Sequence, residues 1–560
     1  MDSTPNNPKL SFIQRYHILL KTHYFLFFSA FGVIFPILSL ILRSHGLSNT
    51  EISISNIFLP FSVFLTSPLI GFIADKTRRY LLTFNILLII VTITVTGIFF
   101  LPYIKSRHII GNLHYEKQSE YMLDFCASQE VATKCSSRVE CGCSYRAFCK
   151  KDDLKFNFIF TMNNYSVKHD LHESERSICD IKYHVPIEKT LLNDTLDIQQ
   201  SVNIKCHIIC SIPYFCHGSR YPKQMMYIIF YPILYVLGTN LLSIGNVIGA
   251  SIGFASLSRA DLFGKQRVWG TVGFGITAFA ASRIYEYFHS EYVYIIMFDI
   301  IAILTIMITS FVPIRPVEMT DNNKKKQKFD LSILISLLKK VDVLVFLSTT
   351  FVWGMSFGCM FPYLGLYIDE IAPCHSRSII GWMLLVSSIS EVIAFYFARR
   401  VIKFCGINLS SILIFLAFAL RFFGYYFIRK PYWYLPVETM HFFNFGILYV
   451  LIAERADTIA PPGLSGTLQG IAHGITHGLG RGVGLLVSSV IYIFIEERLL
   501  FLVFGILNMI AAIIYSIYFL LSKKSAGKNM TLSSTNNNVV LEKDEEPLPS
   551  IPMITIQDEQ

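Results

Sequence analysis

Gly470, Gly474, Gly478 and Gly482 recur every four residues, and His473, His477 and Arg481 keep the same interval, each one residue before a glycine. On a helix such spacing lines up each set along one face. A small-residue face for close helix approach therefore runs beside a stripe of two imidazoles and a guanidinium. The surrounding residues are apolar, and an ionisable side chain inside an apolar span costs about 2.5–3.5 kcal/mol on insertion scales. Charges kept at that cost are candidate sites. Arg481 is expected to line a central cavity and to bind an anionic group or an acidic gate; the competing reading is an ion pair that only locks helices together. Two His one turn apart can hold a transition metal, but no third ligand is near them, so hydrogen-bonded or proton-relaying histidines are expected and no metal. Glu391, Asp299 and Arg421 are the other ionisable residues within long apolar stretches. An acid facing a wet cavity can carry a coupling proton, whereas an acid facing Arg421 or Arg481 neutralises it permanently. No G-x-x-x-x-G-K-[ST] loop occurs, which disfavours ATP-driven work within this chain. No His/Asp/Glu cluster has metal or nucleophile spacing, so no enzyme and no cofactor is expected.

Such charges need helices to hold them. The chain has 560 residues, 53% hydrophobic and 14% aromatic, with 16% charged and a net charge of +9. Soluble domains carry about a quarter charged residues, so the class indicated is a polytopic, all-α membrane protein. Apolar runs long enough to span a bilayer lie near 22–42, 53–74, 80–102, 226–254, 268–287, 292–313, 342–367, 378–398, 409–428, 434–453, 466–494 and 499–521, which makes twelve spans. Met1–Leu10 is polar and reads as no secretory signal. Alternate loops carry Lys76/Arg78/Arg79, Arg259/Lys265/Arg267, Lys324–Lys328 with Lys339/Lys340, Arg399/Arg400/Lys403 and Lys523/Lys524/Lys528; the opposite loops carry only Arg43, Arg283, Arg377, Arg429/Lys430 and Arg498. The positive-inside rule puts both termini in the cytoplasm, of a plasma membrane or an endomembrane. The net charge thus marks a membrane face next to lipid, not a nucleic-acid partner.

The expected organisation is a cytoplasmic N-terminus (1–21), a six-helix half (22–313), a basic cytoplasmic linker (314–341), a second six-helix half (342–521) and a disordered cytoplasmic tail (522–560). The first half contains an insert at 103–225, predicted to be extracytoplasmic. It holds nine of the twelve cysteines, Cys126, Cys135, Cys141, Cys143, Cys149, Cys179, Cys206, Cys210 and Cys216, and the sequons at Asn164 and Asn193. Disulfides and N-glycans both belong to that side. The odd count leaves one thiol over or paired between chains, and the connectivity is open. Sequons at Asn408 and Asn529 fall on the cytoplasmic side and should be unused.

Two six-helix halves joined by a basic loop suggest a secondary transporter. The loop after span two, Gly71-Phe-Ile-Ala-Asp75-Lys76-Thr-Arg78-Arg79, resembles the cytoplasmic gate motif of the major facilitator superfamily, without its second glycine. Arg399-Arg400-Val-Ile-Lys403 resembles the weaker repeat of that motif in the second half. Phe28-Ser-Ala-Phe-Gly32 through Pro36, and Gly264-Lys265-Gln-Arg267-Val-Trp269-Gly270, look like the oligosaccharide:proton symporter-like branch. Ala460-Pro-Pro-Gly-Leu-Ser-Gly-Thr-Leu-Gln469-Gly470 leading to Arg481-Gly482 resembles the domain-containing protein 6 group of that superfamily. Lactose-permease-like members place Arg-x-x-Gly in span nine and a His followed three residues later by an acid in span ten. Arg421-Phe-Phe-Gly424 matches; His441-Phe-Phe-Asn444 matches except for the acid, which Glu438, one turn earlier, would have to replace. Arg267 matches the sugar-contacting Arg that opens span five, while span four offers Asn240 and Asn246 where those symporters carry an acid.

The function expected is alternating-access transport of a small organic solute, with a proton as candidate coupling ion. Cavity-lining candidates are Arg267, Asp299, Glu391, Arg421, His441, Asn444, His473, His477 and Arg481, with Trp353, Phe361 and Tyr363 as aromatic packing surfaces. The alternative is a non-transporting receptor or adhesion protein whose Cys-rich ectodomain captures an extracellular ligand on loop 103–225.

Overall fold

A computed structural model describes residues 17–77, 79–104, 109–116, 120–127, 145–151, 154–160, 166–168, 181–187, 203–210, 224–257, 263–314, 336, 339–372, 374–460, 465–495 and 497–536. Arg78, Arg259, Asn164, Asn193, five of the insert cysteines and most of the basic linker lie outside them.

In hydrocarbon every backbone N–H and C=O must be paired within the segment, so the apolar runs become helices. The first half contains α1 (Ile18–Ile34), α2 (Leu38–Ser44), α3 (Asn49–Thr77), α4 (Tyr80–Phe100), α5 (Met225–Ser256), α6 (Phe263–Phe288) and α7 (Tyr292–Ser310). The second contains α8 (Val341–Ile371), α9 (Ser376–Phe427), α10 (Tyr434–Glu438), α11 (Leu448–Ile459), α12 (Ser465–His473), α13 (Arg481–Phe494) and α14 (Leu499–Asn536), with π-helical segments at Phe442–Ile447 and Gly474–Gly480. Among the described residues, nine helices are long and apolar enough to cross a membrane. One of them, α9, covers predicted spans eight and nine. Its helical run breaks at Gly406, where φ +78° and ψ 160° give a conformation that glycine adopts without strain. Span one divides into α1 and α2 around Pro36, whose missing N–H cannot continue the helical ladder.

Within each half, glycines let backbones touch. A Cβ at Gly273 would lie 2.3 Å from the Phe25 carbonyl oxygen, joining α6 to α1, and one at Gly484 would lie 2.1 Å from that of Met355, joining α13 to α8. The halves meet along two seams. A Cβ at Gly381 of α9 would fall 1.9 Å from Ser282 Oγ of α6, and one at Gly482 of α13 would fall 2.7 Å from Pro60 of α3.

Chain reversals collect Lys76, Arg79, Lys265, Lys339, Lys340, Arg399, Arg400 and Lys403 at one end, all exposed. This basic end and the opposite, far end behave differently. A Cβ at Gly470, Gly474 or Gly478 would meet no atom within 4 Å. The expected smooth packing face along span eleven is therefore confined to Gly482: at the other three positions no neighbouring helix approaches among the described residues.

The insert is not helical. Strands β1 (Ile109–Glu116), β2 (Glu120–Ala127), β3 (Tyr145–Lys151), β4 (Leu154–Phe160), β5 (Ser166–Lys168), β6 (Ile181–Ile187) and β7 (Ile204–Cys210) form an antiparallel sheet in the order β4-β3-β7-β1-β2-β6-β5. The all-α expectation holds for the bundle and fails here, because a search for long apolar runs passes over alternation with period two. Tyr145, Ala147 and Cys149 are buried while Arg146, Phe148 and Lys150 are exposed. Gly111↔Cys206, Cys149↔Cys206 and Leu123↔Val185 set the register that stacks the buried face. A disulfide joins Cys149 to Cys206, and Cys126 is disulfide-bonded as well. Where a tail was expected from 522, α14 continues to Asn536; residues 522–536 contain a glycine but no proline to stop a helix.

Candidate functional site

A cavity of about 220 Å³ lies between the halves. Phe28, Phe31 and Phe35 of the first span, Phe274 of α6, and Phe357 and Met360 of α8 give it apolar walls. Set into these walls are Arg267, Glu391, Arg421, Glu438, His441, His477 and Arg481.

Four of these groups, Arg421, Glu438, His441 and Glu391, form one connected chain. Arg421 donates from Nε to Tyr425 Oη at 2.7 Å, from Nη1 to His441 Nδ1 at 3.0 Å, and from Nη2 to Glu438. Because a guanidinium can only donate, Nδ1 of His441 must accept, and its proton sits on Nε2. That nitrogen faces Glu391 Oε2 at 3.3 Å. Thr271 of α6 donates to Glu391 Oε1 at 2.7 Å, which ties the first half to the second. Glu438 accepts further bonds from Tyr425 and, at 2.5 Å, from Ser387. Arg421, Glu438 and Glu391 are only 4%, 2% and 8% exposed, so these hydrogen bonds replace water that burial removes. His441 directly precedes one π segment and His477 lies inside the other. Single π turns are frequent at functional sites, because they turn side chains off the regular helical register.

The two remaining cations approach from opposite halves. The Arg267 guanidinium lies 3.6 Å from the Phe28 ring centroid, and that of Arg481 lies 5.9 Å from the Phe35 centroid. A Cβ at Gly270 would come within 2.9 Å of an Arg267 Nη atom, so the glycine leaves that guanidinium its room.

Glu391, Arg421, His441, His477, Arg481 and Arg267 are thus brought to one cavity as the sequence suggested. Three candidates are not. Asp299 accepts a hydrogen bond from Thr96 at 2.8 Å inside the first half. Asn444 is fully buried, and both its amide atoms lack a partner among the described residues. His473 stacks behind His477 at 5.9 Å and is not on the cavity wall. Trp353 and Tyr363 are fully buried elsewhere, the latter hydrogen-bonded to Ser489, so Phe357, Met360 and Leu364 supply the α8 surface instead. Ser387 and Tyr425 were missed, although each sits one helical turn from a charged candidate, Glu391 and Arg421, on the same face. Of the gate motif, Lys76, Arg79, Arg399 and Arg400 are exposed at the basic end, with Arg400 5.8 Å from the Tyr396 ring centroid; Gly71 and Asp75 fall in α3.

The far end carries a second polar network, of which the sequence shows only Arg43 and Arg377, as loop charges. Arg43 of α2 reaches Asp369 and Glu370 of α8 at 3.3 Å each. Arg377 of α9 reaches Asp369 at 2.9 Å and Glu291, just before α7, at 2.9 Å. Asn49 and Tyr492 donate to Glu370 at 2.6 and 2.7 Å, and Ser44 donates to Glu291 at 2.6 Å. Arg43, Asn49 and Glu291 come from the first half, and Asp369, Glu370, Arg377 and Tyr492 from the second, so the network clasps the halves together. Burial holds the Glu291 carboxyl above its ordinary value, although Arg377 and Ser44 pull it down. The closed far end therefore binds this proton more tightly than an opened, hydrated one would. Acidification through that raised value is expected to increase the closed fraction, read as a shortening of spin-label distances across the far end. Lengthening distances on acidification would contradict it.

Residues 17–504 match the MFS_1 like family. No curated protein matches the chain. Among solved structures, the nucleoside transporter NupG superposes with a TM-score of 0.54 at 14% identity, covering 90% of this chain and 98% of that one. A D-xylose-proton symporter superposes with a TM-score of 0.52 at 12% identity, covering 90% of this chain and 97% of the other. At such identities the likeness is one of fold. With the match running through nearly all the helices, the chain belongs to the MFS_1 like family, within the major facilitator superfamily.

Proposed function

We propose that the protein is a secondary active transporter of a small organic solute, working by alternating access between two six-helix halves of a twelve-span bundle. The single observation that supports this reading best is the cavity at the seam, with charged groups from both halves, shut at the far end by interlocking ion pairs. Two halves held shut at one end by polar contacts can rock about the cavity between them. The basic end is taken as cytoplasmic, with both termini on that side and the insert, including Asn164 and Asn193, outside. Within the superfamily the protein is placed beside the domain-containing protein 6 group, in the oligosaccharide:proton symporter-like branch, on the motifs quoted above.

A proton is the proposed coupling ion. Glu391 is the proposed carrier: it is bonded to Thr271 across the seam and to His441 in its own half, so its protonation changes contacts on both sides. The xylose-proton symporter and NupG show that the same fold serves solute transport. The test is uptake by purified protein in vesicles, across a panel of sugars, nucleosides, organic cations and organic anions, with and without a pH gradient. At least one solute is expected to accumulate, faster when the outside is acid. If no solute moves under any gradient, the transport reading fails.

A further inference from the structure

The cavity wall carries three guanidinium groups, Arg267, Arg421 and Arg481, against two carboxylates, Glu391 and Glu438. Arg421 and Glu438 are bonded directly to each other, and Glu391 is held by Thr271 and His441. With neutral histidines this leaves one net positive charge on a largely apolar surface. The cations beyond the Arg421–Glu438 pair come one from each half. Arg267 lies against the Phe28 ring and makes no ion pair among the described residues; Arg481 lies near the Phe35 ring. Around them the wall is built mainly of Phe28, Phe31, Phe35, Phe274, Phe357 and Phe445. Water needs about 10–15 Å³ per molecule on this measure of volume, so the space suits a solute of one or two rings rather than a polymer.

Resting on the transport reading above, we infer that the solute is a compact amphipathic organic anion. Its charged head is drawn to the cations that each half contributes, Arg267 and Arg481, and its apolar body lies on the phenylalanine faces. A neutral sugar would leave an unbalanced positive charge in a site of low dielectric, and an organic cation would add to it. An anion removes it.

The same arrangement couples the anion to a proton. Glu391 faces His441, just before the neighbouring π segment, and Thr271 of α6, with Arg267 on that same helix, and His477 opens on the same cavity. When Glu391 takes up a proton, the cavity becomes one unit more positive. By linkage, anion binding and proton binding then favour each other, and a monovalent anion with one proton crosses without net charge.

The experiment uses the full chain purified in detergent and titrated with naphthoate, naphthylmethanol and naphthylmethylamine, which share a ring system and differ in charge. Naphthoate is expected to bind at least about tenfold more tightly than the other two, with a larger preference on acidification at pH values where it stays ionised. Arg267→Gln and Arg481→Gln should each remove most of that preference, while Arg267→Lys keeps part of it; melting curves confirm that the variants are folded. Equal or stronger binding of the alcohol or the amine to wild-type protein overturns the inference, whatever the variants do. Vesicle uptake separates this from the parent reading. Neutral solute uptake without naphthoate preference leaves transport standing and removes the anion, whereas naphthoate binding without uptake of any solute keeps the ligand class and removes transport.

Discussion

Replacing Arg43 with Gln opens the far end. In the closed form this guanidinium is buried between Asp369 and Glu370, and the two carboxylates lie 1% exposed. Removing it leaves two acids in a site that water does not reach, and breaking a buried pair in this way costs about 3–5 kcal/mol. The cost falls on the closed form alone, because once the halves part the acids are hydrated. Part of it is recovered by Asn49 and Tyr492, which still donate to Glu370, and by Arg377 and Ser376, which still donate to Asp369. A remaining penalty of about 1.4–2.8 kcal/mol would shift the closed-to-open ratio ten- to a hundredfold. Spin labels at Leu47→Cys in the first half and at the native, exposed Cys374 in the second would report it as a longer distance population. Asp369→Asn should act in the same direction by loosening both Arg43 and Arg377. Unchanged distances in both variants would mean that the network is not what holds the halves.

The second large effect is at Arg421. Arg421→Gln is expected to reduce uptake by at least about a hundredfold, because the guanidinium sets the His441 tautomer, orients Tyr425 and neutralises Glu438 at once. It should also lower the melting temperature, since Glu438 is left buried and uncompensated at a cost of about 3–5 kcal/mol. Stability and function separate in the double variant. Arg421→Gln with Glu438→Gln removes both charges, so folding should recover towards wild type. Uptake should not recover, because Nδ1 of His441 no longer faces an obligatory donor and the proton on Nε2, aimed at Glu391, is no longer fixed. Recovery of both would make the pair a structural lock. Glu391→Gln is expected to keep the fold and solute binding but lose the response of uptake to a pH gradient.

Much of this arrangement was legible before any coordinates. The rarity of charge in apolar runs picked out Glu391, Arg421 and Arg481, the resemblance to lactose-permease-like members added His441, and charge asymmetry between loops suggested two halves. What hydrophobic pattern cannot supply is rotation about the helix axis. Asp299 and Glu391 look equivalent in sequence, yet one turns to Thr96 of a neighbour in its own half and the other to the seam. The far-end network was hidden for a different reason. Arg43, Glu291, Asp369 and Arg377 sit where spans end, and a charge there reads as a solvated loop until packing shows the loops pressed together. In span eleven the period of four sets out a face of which only His477, Arg481 and Gly482 reach the cavity or the seam. Glycine, however, suits both close packing and open space, and only Gly482 meets a neighbour across the seam. The sheet in the insert rests on the alternation in Tyr145–Lys151 and Ile204–Cys210, a period-two pattern that the length of apolar runs does not register.

Alternating access requires the two ends to open in turn, and reciprocal labelling measures that directly. One cysteine replaces Gly474, which faces open space at the basic end, and another replaces Ile368, which is 1% exposed at the far end. Each is placed in a background where Cys374 and Cys405 are Ser, and each is then combined with Arg43→Gln. Labelling by a water-soluble maleimide is predicted to be fast at 474 and slow at 368 in the parent. With Arg43→Gln, labelling should become at least about tenfold faster at 368 and correspondingly slower at 474. If the rate at 368 rises while that at 474 is unchanged, the far end merely loosens, and alternating access is contradicted.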